Sequence, residues 1–99
     1  MFTIEYATSV ADDLAELKAR DRQTVLDRIE QQLTHEPTHE TQNKKVIFGL
    51  QPPWEHEPPI WELRVGQLRV FYDVNVEEYR VVVRAIRRKP PHKSTKEIV

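Results

Sequence analysis

Hydrophobic and polar positions alternate with a period of two along Ile60–Val74, and the alternation reflects about Gly66-Gln67. Folding the run there sets Val65 against Leu68, Arg64 against Arg69, Leu63 against Val70, Glu62 against Phe71 and Trp61 against Tyr72. A two-residue loop with glycine first predicts a type II′ hairpin, and that turn fixes the register. Trp61, Leu63, Val65, Leu68, Val70 and Tyr72 then share one face, suited to a core. Glu62, Arg64 and Arg69 share the other, and burial does not explain cations there.

The rest of the chain supplies elements to cover that hairpin. Phe2, Ile4 and Tyr6 alternate with Thr3 and Glu5, predicting a short strand. Thr8 or Ser9 then predicts a helix cap, and Ser9 with Asp12 fits the S-x-x-D capping pattern. Val10, Leu14 and Leu17 form an apolar stripe, with Asp12, Asp13, Glu16 and Lys18 toward water. A break around Asp21 starts a second helix with Val25, Leu26, Ile29 and Leu33 inward, closed before Pro37.

Thr34–Gln42 is polar loop, Lys44–Leu50 a short strand, and Gln51–Pro59 (QPPWEHEPP) a proline-bracketed loop. Ile60–Val65, Leu68–Val74 and Tyr79–Arg87 follow as three sequential antiparallel strands, and Lys93–Val99 forms a helical turn or frays. The order β-α-α-β-β-β-β predicts one α+β domain over residues 1–99. In it a helical hairpin packs on one face of a twisted antiparallel sheet.

Composition narrows the chemistry. The 99 residues suffice for one core, and the absence of cysteine excludes disulfides, a thiolate nucleophile and a cysteine zinc site. No apolar run is long enough to span a bilayer, and MFTIEYATSV lacks the features of a signal peptide, so a cytoplasmic, membrane-free location is expected. Residues 1–59 hold 6 Lys/Arg against 11 Asp/Glu and residues 60–99 hold 9 against 5, an asymmetry concealed by the total of −1. One basic end suits a localised anionic ligand, although the two halves of the chain also attract each other.

The arginines set the problem. Arg64 and Arg69 are like charges directly opposed across the turn, which is unfavourable unless an anion lies between or above them. On the last strand, simple alternation places Arg80, Arg84 and Arg88 on one face with Val82 and Ile86, and Arg87 on the other. Guanidinium forks match phosphate oxygens in pairs. The competing expectation is that they pair with the acidic helices or face water on an open sheet.

The order strand, helical hairpin, short strand, then W-E-L-R-V-G-Q-L-R-V-F-Y-D-V and a strand ending R-A-I-R-R-K, resembles the RelE/ParE family of bacterial toxins. The resemblance covers nearly the whole chain and is sharpest at Leu63-Arg64-Val65-Gly66 and Arg69-Val70-Phe71-Tyr72. It implies a RelE-like fold and a cognate antitoxin, bound through an acidic or amphipathic segment in a hetero-oligomer. It also implies either ribosome-dependent mRNA cleavage through 2′-OH in-line attack, without a cofactor or metal, or poisoning of DNA gyrase. A catalytically degenerate, antitoxin-binding module is the third possibility.

The resemblance assigns Arg69 to the scissile phosphate, and Arg88 or Arg87 to transition-state charge or leaving-group chemistry. Arg64, Arg84, Arg87, Lys89 and Lys93 are the candidate RNA and phosphate contacts. Two family features are absent: Glu62 stands where active members have a lysine, and PPHKST replaces the stretch with the carboxy-terminal tyrosine. His92 is the candidate general acid, since imidazole suits proton transfer near neutral pH. Glu62, or Glu55 in the loop, is the candidate base. Trp54 either stacks on a base or closes the edge of the core. His35 and His39 flank Pro37, which breaks the helix that would make their spacing a metal pair.

Overall fold

The computed structural model describes residues Met1–Val99. The chain runs β1 (Thr3–Tyr6), α1 (Val10–Ala15), α2 (Ala19–Leu33), β2 (Lys44–Ile47), β3 (Ile60–Val65), β4 (Leu68–Asn75), β5 (Arg80–Arg88) and α3 (Thr95–Ile98). The five strands form one sheet in the order β1-β5-β4-β3-β2. The architecture is α+β as the pattern predicts. The sheet departs from the prediction at one edge, where β1 joins β5 in parallel, while β2 to β5 are antiparallel.

The β3–β4 register is the predicted one, from Trp61 opposite Tyr72 to Val65 opposite Leu68. Gly66 has φ +59 and Gln67 is not in the positive-φ region, which makes the turn type II′ and excludes type I′. The face expected to be apolar packs on the helices. Val10, Val25, Ile29 and Leu33 bury against Trp61, Leu63, Val70, Tyr72, Val81 and Val83. Each such side chain contributes about 1.5–3 kcal/mol relative to exposure. Tyr72 adds a hydrogen bond from its hydroxyl to the Pro37 carbonyl, 2.7 Å.

The helices differ from expectation at their ends. Ser9 makes no side-chain cap, and the break falls at Glu16–Lys18 with Lys18 as N-cap, not at Asp21. Arg22 explains the position. Its Nε and Nη2 donate to the Leu14 and Leu17 carbonyls at 2.9 and 2.8 Å, satisfying groups left open where α1 stops. Lys44, almost fully buried, serves the end of the α2 segment by donating to the Gln32 and Glu36 carbonyls. Burial lowers its pKa from 10.5, and Glu36 opposes that shift.

Two further corrections shape the functional face. The sheet surface away from α1 and α2 is not open throughout: Leu50, Ile60, Phe71 and Ala85 form a second core cluster there, covered by Trp54, Ile98 and Val99. The β4–β5 register also shifts between Phe71 and Tyr72, with Phe71 opposite Ala85 but Tyr72 opposite Val83. Arg84 is the extra residue. This bulge reverses the alternation of β5, so buried positions change from Val81 and Val83 to Ile86, and Arg88 falls on the helix side. Arg80, Arg84 and Arg88 therefore do not share a face.

Candidate anion-binding site

Three arginines on three adjacent strands form a row on the face away from the helices. Arg64 of β3 is opposite Arg69 of β4, and Arg69 is opposite Arg87 of β5. The Arg64 N–H donates outward to the Asn43 carbonyl at 2.7 Å, so Arg64–Arg69 is a non-hydrogen-bonded pair. Cα atoms in such pairs approach to about 4.5 Å, the spacing that brings side chains closest.

Arg69 is the centre of the row and only 6% exposed. Its Nη1 donates to the Gly66 and Leu68 carbonyls at 2.8 and 2.9 Å, while its buried Nε has no partner. Burial is the main cause lowering its pKa from 12.5; the Arg64 charge adds to it, and Glu62 opposes. No carboxylate lies within ion-pair distance of Arg69 or Arg64. This desolvated guanidinium between two cations has no ion-pair partner, and Glu62 acts on it only from beyond that distance. At an effective dielectric near 20, an anion about 4 Å away gains roughly 4 kcal/mol from each such group.

Arg87 is held from two sides. Its Nη1 lies 2.9 Å from Asp13 Oδ2, and its guanidinium carbon is 5.1 Å from the Trp54 ring centroid. Asp13 Oδ2 also accepts the Ile86 N–H at 3.0 Å, beyond the last β1 partner of β5. Asp13, expected to face water, thus closes an open strand edge and fixes the adjacent arginine. Trp54 in turn packs against Phe71, with ring centroids 5.4 Å apart and the planes tilted by 43°. This settles its placement at the core edge.

Glu62 shares the face but is buried at 2% exposure, and its Oε2 accepts a hydrogen bond from Thr95 Oγ1 at 2.8 Å. The carboxy-terminal segment therefore lies over it, with Ile98 and Val99 on the second cluster. Glu55 is exposed on the loop, and its charge acts on Arg84.

The other candidates are placed elsewhere. Arg84 makes a two-point ion pair with Asp73 at 2.7 and 3.2 Å, which raises its pKa and leaves little cationic capacity. Asp73 also accepts the Glu57 N–H, pinning the proline loop to the sheet. Arg88 lies on the opposite side of the sheet, 3.5 Å from Asp21. His92 is exposed in the turn after Pro90 and makes no hydrogen bond to Glu62 or Arg69. Lys93 pairs with Glu97 at 3.6 Å, and the Lys89 N–H donates to the Gln67 carbonyl at the hairpin tip.

So the structure brings together Arg64, Arg69, Arg87 and Glu62, and leaves Arg84, Arg88, His92 and Lys93 out of the row. Pattern reasoning missed Asp13, Thr95 and Asp73. One signal for the second cluster was present: Val70-Phe71-Tyr72 is apolar without interruption, as in strands covered on both sides.

No family model matches the chain, and no curated protein matches it in sequence. Solved structures do. A chain of the toxin–antitoxin complex RelBE2 from Mycobacterium tuberculosis is 21% identical with a TM-score of 0.69, covering 89% of this chain and 98% of that one. The archaeal RelE–RelB complex from Pyrococcus horikoshii OT3 gives 18% identity and a TM-score of 0.69, over 94% and 98% of the two chains. The isolated RelE toxin of Escherichia coli gives 14% and 0.67, over 96% and 89%. The chain has the RelE fold: an α+β domain with a five-stranded, mostly antiparallel sheet.

Proposed function

We propose that this protein is the toxin of a toxin–antitoxin pair and cleaves RNA through the 2′-hydroxyl. One observation carries the chemistry: the buried Arg69, without an ion-pair partner, between Arg64 and Arg87, with the Glu62 carboxylate on the same face. The similar solved structures include toxin–antitoxin complexes, which supports an antitoxin as partner.

In this reading a phosphodiester sits over the arginine row. The 2′-oxygen attacks phosphorus and passes its proton to Glu62, whose Oε1 makes no hydrogen bond within the protein. Arg69 and Arg87 hold the charge that grows on the non-bridging oxygens. Removing one such preorganised donor typically costs 10²–10³ in rate. The P–O5′ bond then breaks, leaving a 2′,3′-cyclic phosphate, and the 5′-oxygen leaves with a proton. His92, which lies outside the row in this structure, is the assigned donor.

Messenger RNA on the ribosome is the proposed substrate in the cytoplasm. The test is induced expression in a bacterial host with mapping of mRNA ends, wild type against Arg69→Ala. New ends that vanish in the variant support the reading. Growth arrest with intact mRNA and broken DNA would transfer the target to gyrase. Harmless expression would leave an antitoxin-binding module.

A further inference from the structure

The bulge that removes Arg88 from the arginine row places it in a recess on the helix side of the β3–β4 turn. This recess of about 350 Å³ is lined by Thr24 and Arg28 of α2, Gly66 and Gln67 of the turn, Arg88, and Asp21. It has room for about ten waters. Arg28 makes no hydrogen bond or ion pair to another side chain. Arg88 has only Asp21, at 3.5 Å, with the two side chains 52% and 41% exposed. An exposed pair of this kind is weak and exchanges readily. Two guanidiniums against one carboxylate leave the recess cationic.

Recess and row meet at the hairpin tip. Arg69 Nη1 holds the Gly66 carbonyl from one side, while Gly66 and Gln67 line the recess on the other. The Lys89 N–H bonds the Gln67 carbonyl at 2.7 Å, tying the end of β5 to the same turn.

We propose that the Arg28–Arg88 recess is a second phosphate subsite, and that one RNA strand bends round the β3–β4 turn to reach both faces. Thr24 and Gln67 supply neutral donors beside the two forks. This inference rests on the RNA reading of the arginine row, and it adds the path of the strand away from the scissile bond.

Fluorescence anisotropy of the purified full chain with labelled single-stranded oligoribonucleotides tests it. A trinucleotide reaches only the row; a dodecanucleotide reaches both faces. Arg28→Ala and Arg88→Ala should each weaken the dodecanucleotide about 3–10-fold and flatten its log-affinity against log-salt slope by about 0.7. Neither should change trinucleotide binding, and Asp21→Asn should tighten the dodecanucleotide. Arg69→Ala should weaken both. If only Arg69→Ala has an effect, the second subsite is overturned and the arginine row stands. Equal loss of both oligonucleotides in Arg28→Ala or Arg88→Ala would overturn the subsite too. Absence of wild-type binding sinks both readings.

Discussion

Arg69 and Arg87 face each other directly across the β4–β5 ladder, whereas Arg88 faces Leu68. The single extra residue at Arg84 decides which carboxy-terminal arginine shares a face with Arg69. Arg87→Ala should therefore reduce RNA cleavage by about 10²-fold or more, like Arg69→Ala. Arg88→Ala should reduce it less than about tenfold, through binding alone. Quantified mRNA ends in expressing cells distinguish the two.

Arg69 is retained at a cost to the fold. Replacing it with an apolar side chain of similar length removes a desolvated charge and its repulsion with Arg64. Arg69→Met is expected to raise stability by about 1 kcal/mol while abolishing anion binding. Urea denaturation checks this. A lower midpoint would show that the charge is compensated within the folded chain.

The Arg84–Asp73 pair has the opposite character. Asp73 is 3% exposed, and its carboxylate holds both Arg84 and the Glu57 N–H. Arg84→Ala strands that charge and should cost about 3 kcal/mol. Thermal melts of Arg84→Ala beside Arg84→Ala/Asp73→Ala separate the two effects, because the double variant should recover part of the loss.

Tyr72 links stability to alkaline pH. Burial raises the pKa of its hydroxyl far above 10.0. The folded chain keeps the proton when the unfolded chain has released it, so stability is whole below pH 10 and declines above it. The contribution is at most about 1.4 kcal/mol per pH unit. Tyr72→Phe should cost about 1–3 kcal/mol at neutral pH by orphaning the Pro37 carbonyl. The gap from wild type should shrink as pH rises past 10, measured by urea denaturation.

Gly66 sits at φ +59, yet a Cβ there would meet no atom within 4 Å. The penalty of Gly66→Ala is thus purely conformational, about 1–2 kcal/mol. Strain relieved by a changed turn would also misalign Arg64 and Arg69. Loss of trinucleotide binding beyond what the stability change explains is the expected sign.

The hairpin was legible from residue order alone, because glycine chemistry and period-two alternation are local and agree with each other. So were the helix faces, where Val25, Ile29 and Leu33 repeat at helical spacing. The pairing of Arg64 with Arg69 followed from the turn alone. The rest of the site depends on contacts between distant segments. A bulge is an extra residue relative to a partner strand, so β5 read alone assigned Arg88 to the wrong face. Asp13 looked like a solvent-facing helix carboxylate until β1 ended short and left the Ile86 N–H unpaired. Glu62 acquired its cover from Thr95, 33 residues further along the chain. Local pattern fixes which way a side chain points from its own strand; what it meets depends on registers and edges set by distant segments.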